Sequence, residues 1–177
     1  RQYLEDREIT AWVLLDMSPS VDFGAVGTGR EKRTMLVDFV SALARLLTRH
    51  GNRVGAMRFG SRIQHTVPAR GGKVQVLRLI NEMLKQPRLE RVPRTNLKPF
   101  FEGAMQTIKR RSLVFVISDF MSEPGWERPL NMLGEKHEVV AIRLLDPRET
   151  ELPDVGMIVM EDAETGELRP TRLGPAE

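Results

Sequence analysis

Ile9-Thr10-Ala11-Trp12-Val13-Leu14-Leu15-Asp16-Met17-Ser18-Pro19-Ser20 decides how the chain folds. In the first seven residues both alternating faces are largely apolar. A strand of that kind is covered on both sides and belongs in the middle of an α/β sheet. The run ends in one carboxylate and two hydroxyls, each separated by one residue, and a glycine-bearing loop, Phe23-Gly24-Ala25-Val26-Gly27, follows. No lysine stands among them. Oxygen ligands of this type suit a hard divalent cation, magnesium first, then manganese or calcium. The bland alternative is local: Ser18 and Ser20 cap the loop while Asp16 accepts bonds from backbone amides.

Working outward, Arg1 to Glu8 is a charged lead-in to the strand. About Glu31 to His50 places Leu36, Phe39, Val40, Leu43, Leu46 and Leu47 at helical spacing, and Gly51 stops it. Asn52 to Phe59 is a second strand, parallel to the first because a long helix crosses between them. Gly60-Ser61-Arg62 is too short for a parallel crossover, so Ile63 to Val67 is antiparallel and at the sheet's edge. A helix over about Lys73 to Lys85 points Leu77, Ile80 and Leu84 inward, and Gln86 to Arg94 is a loop with two prolines. Leu97, Phe100, Phe101, Ala104, Met105 and Ile108 trace the next apolar stripe, and all of these helical stripes read as core.

Ser112 to Asp119 repeats the first strand's design, a continuous apolar run ending in an acid. Met121 to Gly125 is a loop, Trp126 to Lys136 a weaker helix, and Glu138 to Leu145 another buried strand ending at Asp146-Pro147. Gly156 to Glu161 and Glu167 to Thr171 flank Asp162-Ala163-Glu164-Thr165-Gly166, which has hairpin chemistry. The expected architecture is one α/β domain over residues 1–177: a doubly wound, mostly parallel sheet with one antiparallel edge strand, helices on both faces, and a terminal hairpin in the tail from residue 150.

Composition agrees with a globular domain: 41% hydrophobic and 29% charged residues among 177. Twenty-seven basic residues against 24 acidic ones leave a net charge of +3, too balanced to argue nucleic-acid binding. No apolar run approaches the ~20 residues of a membrane span, and no signal peptide stands at the start. The absence of cysteine removes thiolate metal sites and agrees with a cytoplasmic setting. No phosphate-binding Gly-x-x-x-x-Gly-Lys loop is present. His50, His65 and His137 lack the spacing of a metal cluster or triad and read as surface or strand-edge residues. Arg30-Glu31-Lys32-Arg33 and Lys109-Arg110-Arg111 read as solvated helix ends, and Trp126 as half-buried packing.

In open α/β sheets, ligands bind beyond the carboxyl ends of the strands where strand order reverses. Asp16, Ser18 and Ser20 lie beyond the first strand, Asp119 ends the strand after the third helix, and Thr95 precedes that helix. Segments distant in sequence thus bring two carboxylates and three hydroxyls to one rim.

Asp16-x-Ser18-x-Ser20, Thr95 and Asp119 resemble, in order and spacing, the metal-ion-dependent adhesion site of von Willebrand factor A-like domains. More narrowly, Glu5-Asp6-Arg7-Glu8, Leu15 to Ser20, and Arg110-Arg111-Ser112 leading to Ile117-Ser118-Asp119-Phe120 resemble the bacterial domain-of-unknown-function fifty-eight family. Leu152-Pro153-Asp154 and Glu164-Thr165-Gly166-Glu167 also look like that family. The resemblance covers nearly the whole chain. The family's usual extra N-terminal region has no counterpart, as expected of a fragment, which leaves room for a membrane anchor outside it. Similar domains commonly carry glycine before the threonine; here Pro93-Arg94 stiffens and charges that loop.

The resemblance implies Ser18, Ser20 and Thr95 as direct metal ligands, with Asp16 and Asp119 acting directly or through water. Neutral hydroxyls leave the cation much of its charge, so a carboxylate from a partner protein completes its shell. The implied function is a non-enzymatic protein-interaction module, working beside a MoxR-type AAA+ ATPase in complex assembly or remodelling. The competing function is a magnesium-dependent phosphatase-like hydrolase with Asp16 as nucleophile. Such enzymes place a second acid two residues on, and Ser18 stands there instead.

Overall fold

The apolar run that opens at Ile9 becomes β1, Thr10–Asp16, the central strand of a five-stranded sheet. Strands flank it on both sides and helices cover both faces, so every residue from Ala11 to Asp16 is buried. The protein is seen here as a computed structural model, which describes residues 8–22, 32–60, 63–85, 95–145, 156–161 and 168–173. Most of the charged lead-in, the loop Phe23 to Gly27, Arg30-Glu31, Pro93-Arg94, Asp146-Pro147, Leu152-Pro153-Asp154 and the turn Asp162 to Gly166 lie outside the described residues.

After β1 come α1 (Pro19–Asp22), α2 (Lys32–Arg49), β2 (Arg53–Phe59), β3 (Ile63–Arg70), α3 (Lys73–Leu84), α4 (Lys98–Thr107), β4 (Leu113–Ser118), α5 (Glu127–Lys136) and β5 (Glu138–Arg143). The sheet order is β3-β2-β1-β4-β5. β1 pairs in parallel with β2 and β4, β4 in parallel with β5, and β3 runs antiparallel to β2, as its short connection demands. The chain moves outward from β1 on one side, then returns to the other side as β4. The reversal of strand order therefore falls between β1 and β4. β6 (Gly156–Glu161) and β7 (Leu168–Leu173) form a separate antiparallel pair, the expected terminal hairpin.

Alternation along β1 divides the core between two faces. Ala11, Val13 and Leu15 pack with Leu36, Val40, Ala44, Val76, Leu79 and Met83 of α2 and α3. Trp12 and Leu14 join Phe59, Leu97, Phe100, Phe101 and Leu133 on the α4 and α5 side. The Trp12 ring lies over Gly55, its register partner on β2. A Cβ on Gly55 would sit 2.9 Å from that ring and 3.0 Å from the Ala69 amide nitrogen. Gly55→Ala is therefore expected to lower stability by about 1–3 kcal/mol in urea unfolding, the usual overpacking penalty. An unchanged unfolding midpoint would contradict that close approach.

Four sequence expectations need correcting. On α2, Leu36, Val40 and Ala44 point inward, whereas Phe39 and Leu46 are exposed. On α3 the inward face is Val76, Leu79 and Met83, and Leu77 and Leu84 are each 64% exposed. That helix carries two apolar stripes of helical spacing, and spacing alone does not say which one meets the sheet. β5 is not a buried strand: it is the sheet edge opposite β3 and has no fully buried residue. His137 is also corrected, being only 5% exposed rather than at the surface. α5 runs into β5 with no intervening loop, and His137 is the joint, which draws its ring into the interior.

Candidate metal-binding site

Asp16 is the last residue of β1 and is fully buried. The strand's pairing with β2 continues past it, since the Met17 amide donates to the Phe59 carbonyl at 2.7 Å. The chain then turns at once into the single helical turn α1, with Pro19 first, as proline's missing N–H allows. This turn folds Ser18 and Ser20 back together: their Oγ atoms are 3.0 Å apart, and both residues are buried. The Ser18 amide donates to Asp16 Oδ1 at 3.0 Å. The local alternative, an acid accepting from a backbone amide, is thus present, but it occupies one carboxylate oxygen only.

The other oxygen has a distant partner. Ser118 ends β4, and Leu15 is in register with Ile117, so Ser118 stands beside Asp16 across the parallel pair. Its hydroxyl donates to Asp16 Oδ2 at 2.5 Å and accepts from the Phe120 amide at 2.8 Å. The five candidate ligands did not include Ser118. The signal lay in the parallel run-ends: two buried strands of like design, aligned in register, place their terminal residues side by side.

Asp119 follows, 2% exposed, with Oδ1 accepting from the Met121 amide at 2.9 Å. Burial, with the Asp119 charge adding to it, pushes the Asp16 carboxyl up to about 6, against the lowering effect of the Ser118 and Ser18 hydrogen bonds. The two acids are close enough to repel. Thr95 is 2% exposed, and its segment is stitched to the loop after Asp119. The Glu123 amide donates to the Thr95 carbonyl at 2.9 Å and the Leu97 amide to Ser122 Oγ at 3.0 Å. Asp16, Ser18, Ser20 and Asp119 are thus gathered at the switch point between β1 and β4, and Thr95 is anchored to the Asp119 loop.

Phe120 has φ of 59°, a left-handed conformation that side chains rarely adopt. Its ring lies 5.3 Å from that of Trp126, which in turn lies 6.3 Å from Phe101. Aromatic packing holds the turn in place. Phe120→Gly is expected to leave the protein about 1 kcal/mol more stable than Phe120→Ala, because only glycine relieves the left-handed strain. Equal stability of the two variants in chemical unfolding would contradict this.

The donor set fits a hard divalent cation. All candidate ligands are oxygens, and two hydroxyls 3.0 Å apart match the ~2.9 Å between adjacent oxygens of an octahedral shell with bonds of ~2.1 Å. Among the described residues no group of three His, Cys, Asp or Glu side chains gathers, so the site is rich in hydroxyls rather than acids.

Residues 1–173 match the family described as protein of unknown function DUF58. An uncharacterized protein of Mycobacterium tuberculosis is 37% identical over 176 residues, covering 99% of this chain and 55% of that protein. The chain therefore spans about half the length of that relative. Two solved structures share the fold. An aerotolerance-related membrane protein from Bacteroides fragilis has a TM-score of 0.64 at 16% identity, covering 93% of this chain and 82% of that one. The conserved hypothetical protein BatB from Bacteroides thetaiotaomicron has a TM-score of 0.62 at 14% identity, covering 94% and 81%. Among the described residues no helix is long and apolar enough to cross a membrane.

Proposed function

The chain belongs to the DUF58 family of proteins of unknown function, and on that premise we propose that it is a metal-dependent protein-interaction module with a von Willebrand factor A-like fold. Ser18, Ser20 and Thr95 hold magnesium, or manganese or calcium in its place, with Asp16 and Asp119 behind them. The observation that carries this proposal is the Ser18–Ser20 hydroxyl pair, buried, 3.0 Å apart and backed by two mutually repelling carboxylates. A cation relieves that repulsion. Neutral hydroxyl ligands leave the ion charge enough to attract a carboxylate from another protein. A MoxR-type AAA+ ATPase is the proposed partner, on the strength of the family resemblance alone.

The same geometry disfavours Asp16 as a nucleophile. It is fully buried, with one oxygen taken by the Ser18 amide and the other by Ser118. A melting experiment and a phosphate-ester assay together separate the two functions. Magnesium or manganese at a hundredfold excess over its Kd is expected to raise the wild-type Tm by about 5 °C or more. Ser18→Ala/Ser20→Ala is expected to show no such shift. Metal-dependent hydrolysis of a generic phosphate ester, lost in Asp16→Asn, would overturn the binding function in favour of the hydrolase.

A further inference from the structure

Resting on the metal site proposed above, we infer that Ser118 is a positioning residue of that site, a side chain that ties Asp16 to the turn carrying Asp119. Ser118 is 1% exposed and sits at the end of β4, the strand across the switch point from Asp16. Its hydroxyl has one proton and two acceptor sites. The Phe120 amide, at 2.8 Å, takes an acceptor site and the proton goes to Asp16 Oδ2 at 2.5 Å. That length belongs to a charge-assisted bond between a hydroxyl and a carboxylate. The Ser18 amide holds the other oxygen of Asp16, so the carboxylate is pinned at both ends, from its own loop and from β4.

One hydroxyl therefore joins the Asp16 loop to the turn that carries Asp119. The left-handed Phe120, whose amide Ser118 accepts, locks that turn from the other side. Groups behind metal ligands fix ligand orientation, and their loss commonly lowers metal affinity about 10–100-fold. Ser118→Ala removes one of the two holds on the Asp16 carboxylate and unfastens it from the Asp119 segment. Threonine keeps the hydroxyl at the same place.

The test is a calorimetric titration of wild type, Ser118→Ala and Ser118→Thr with manganese alone, alongside melting of each in EDTA. The expected result is manganese binding by wild type, at least tenfold weaker binding by Ser118→Ala, and recovery in Ser118→Thr. Equal affinity in wild type and Ser118→Ala would overturn the role of Ser118 and leave the metal site standing. No manganese binding by wild type would overturn both. Loss of binding in both variants, with a lowered EDTA melting temperature in each, would reduce Ser118 to a packing residue and overturn the inference.

Discussion

Phe100→Ala is expected to lower the stability of this domain by about 3–5 kcal/mol, the usual range for deleting a buried phenyl ring. Phe100 is 1% exposed and stacks on Phe59 of β2 at 4.9 Å and on Phe101 at 5.8 Å between ring centroids. It stands in the first turn of α4, just after the segment that carries Thr95. The ring thus ties the end of β2 to the start of α4, and its loss opens a void beneath the rim itself. Domains are stable by only ~5–15 kcal/mol, so the variant is expected to lose a large part of its margin. Phe100→Leu refills much of the volume and is expected to lose less than half as much. Equilibrium urea unfolding measures both, and a loss below ~1 kcal/mol for alanine would show that α4 does not depend on this contact.

Asp16→Asn acts in the opposite direction. Burial lifts the Asp16 carboxyl from 3.8 to about 6. A group raised on folding adds stability below its unfolded pKa and loses it as pH rises through the folded one. For Asp16 the loss runs from about pH 4 to above pH 6, and at pH 7 the buried charge costs the metal-free protein about 3 kcal/mol. Asparagine carries no charge and keeps an oxygen for the Ser18 amide. Its NH2 group donates to the Ser118 hydroxyl. In EDTA at pH 7, Asp16→Asn is therefore expected to be about 1–3 kcal/mol more stable than wild type, with the gap closing towards pH 4. With magnesium present, wild type is expected to gain stability and the variant to gain none. A metal-free variant that is less stable than wild type at pH 7 would contradict the cost assigned to this carboxylate.

These opposite expected effects distinguish a residue assigned to folding from one assigned to the proposed site. They also mark what the chain discloses before folding. β1 and β4 were legible because each is a short, continuous apolar run ending at an acid, a pattern that suits a strand covered on both faces. The antiparallel β3 followed from three connecting residues. From these came the switch point, and with it Asp16 and Asp119. The inward faces of α2 and α3 were not legible, since the exposed Leu77 and Leu84 repeat with the same spacing as the buried Val76 and Met83. Choosing between them requires knowing where the sheet lies. Ser118 escaped notice for a related reason. A serine inside Val116-Ile117-Ser118-Asp119 looks like a strand end, and only the register of Leu15 with Ile117 turns it towards Asp16. His137 stands alone between the helix and strand segments in the sequence as in the fold, but nothing local shows that its ring turns inward.

The most direct measurement is a crystal structure of this chain grown with manganese, with the ion located by its anomalous scattering. The ion is expected at the β1–β4 switch point, bonded to both Ser18 Oγ and Ser20 Oγ at ~2.1 Å, with Asp16 still held by Ser118. Crystals of well-ordered protein with no anomalous peak between those hydroxyls, or with manganese only elsewhere on the surface, would contradict the account.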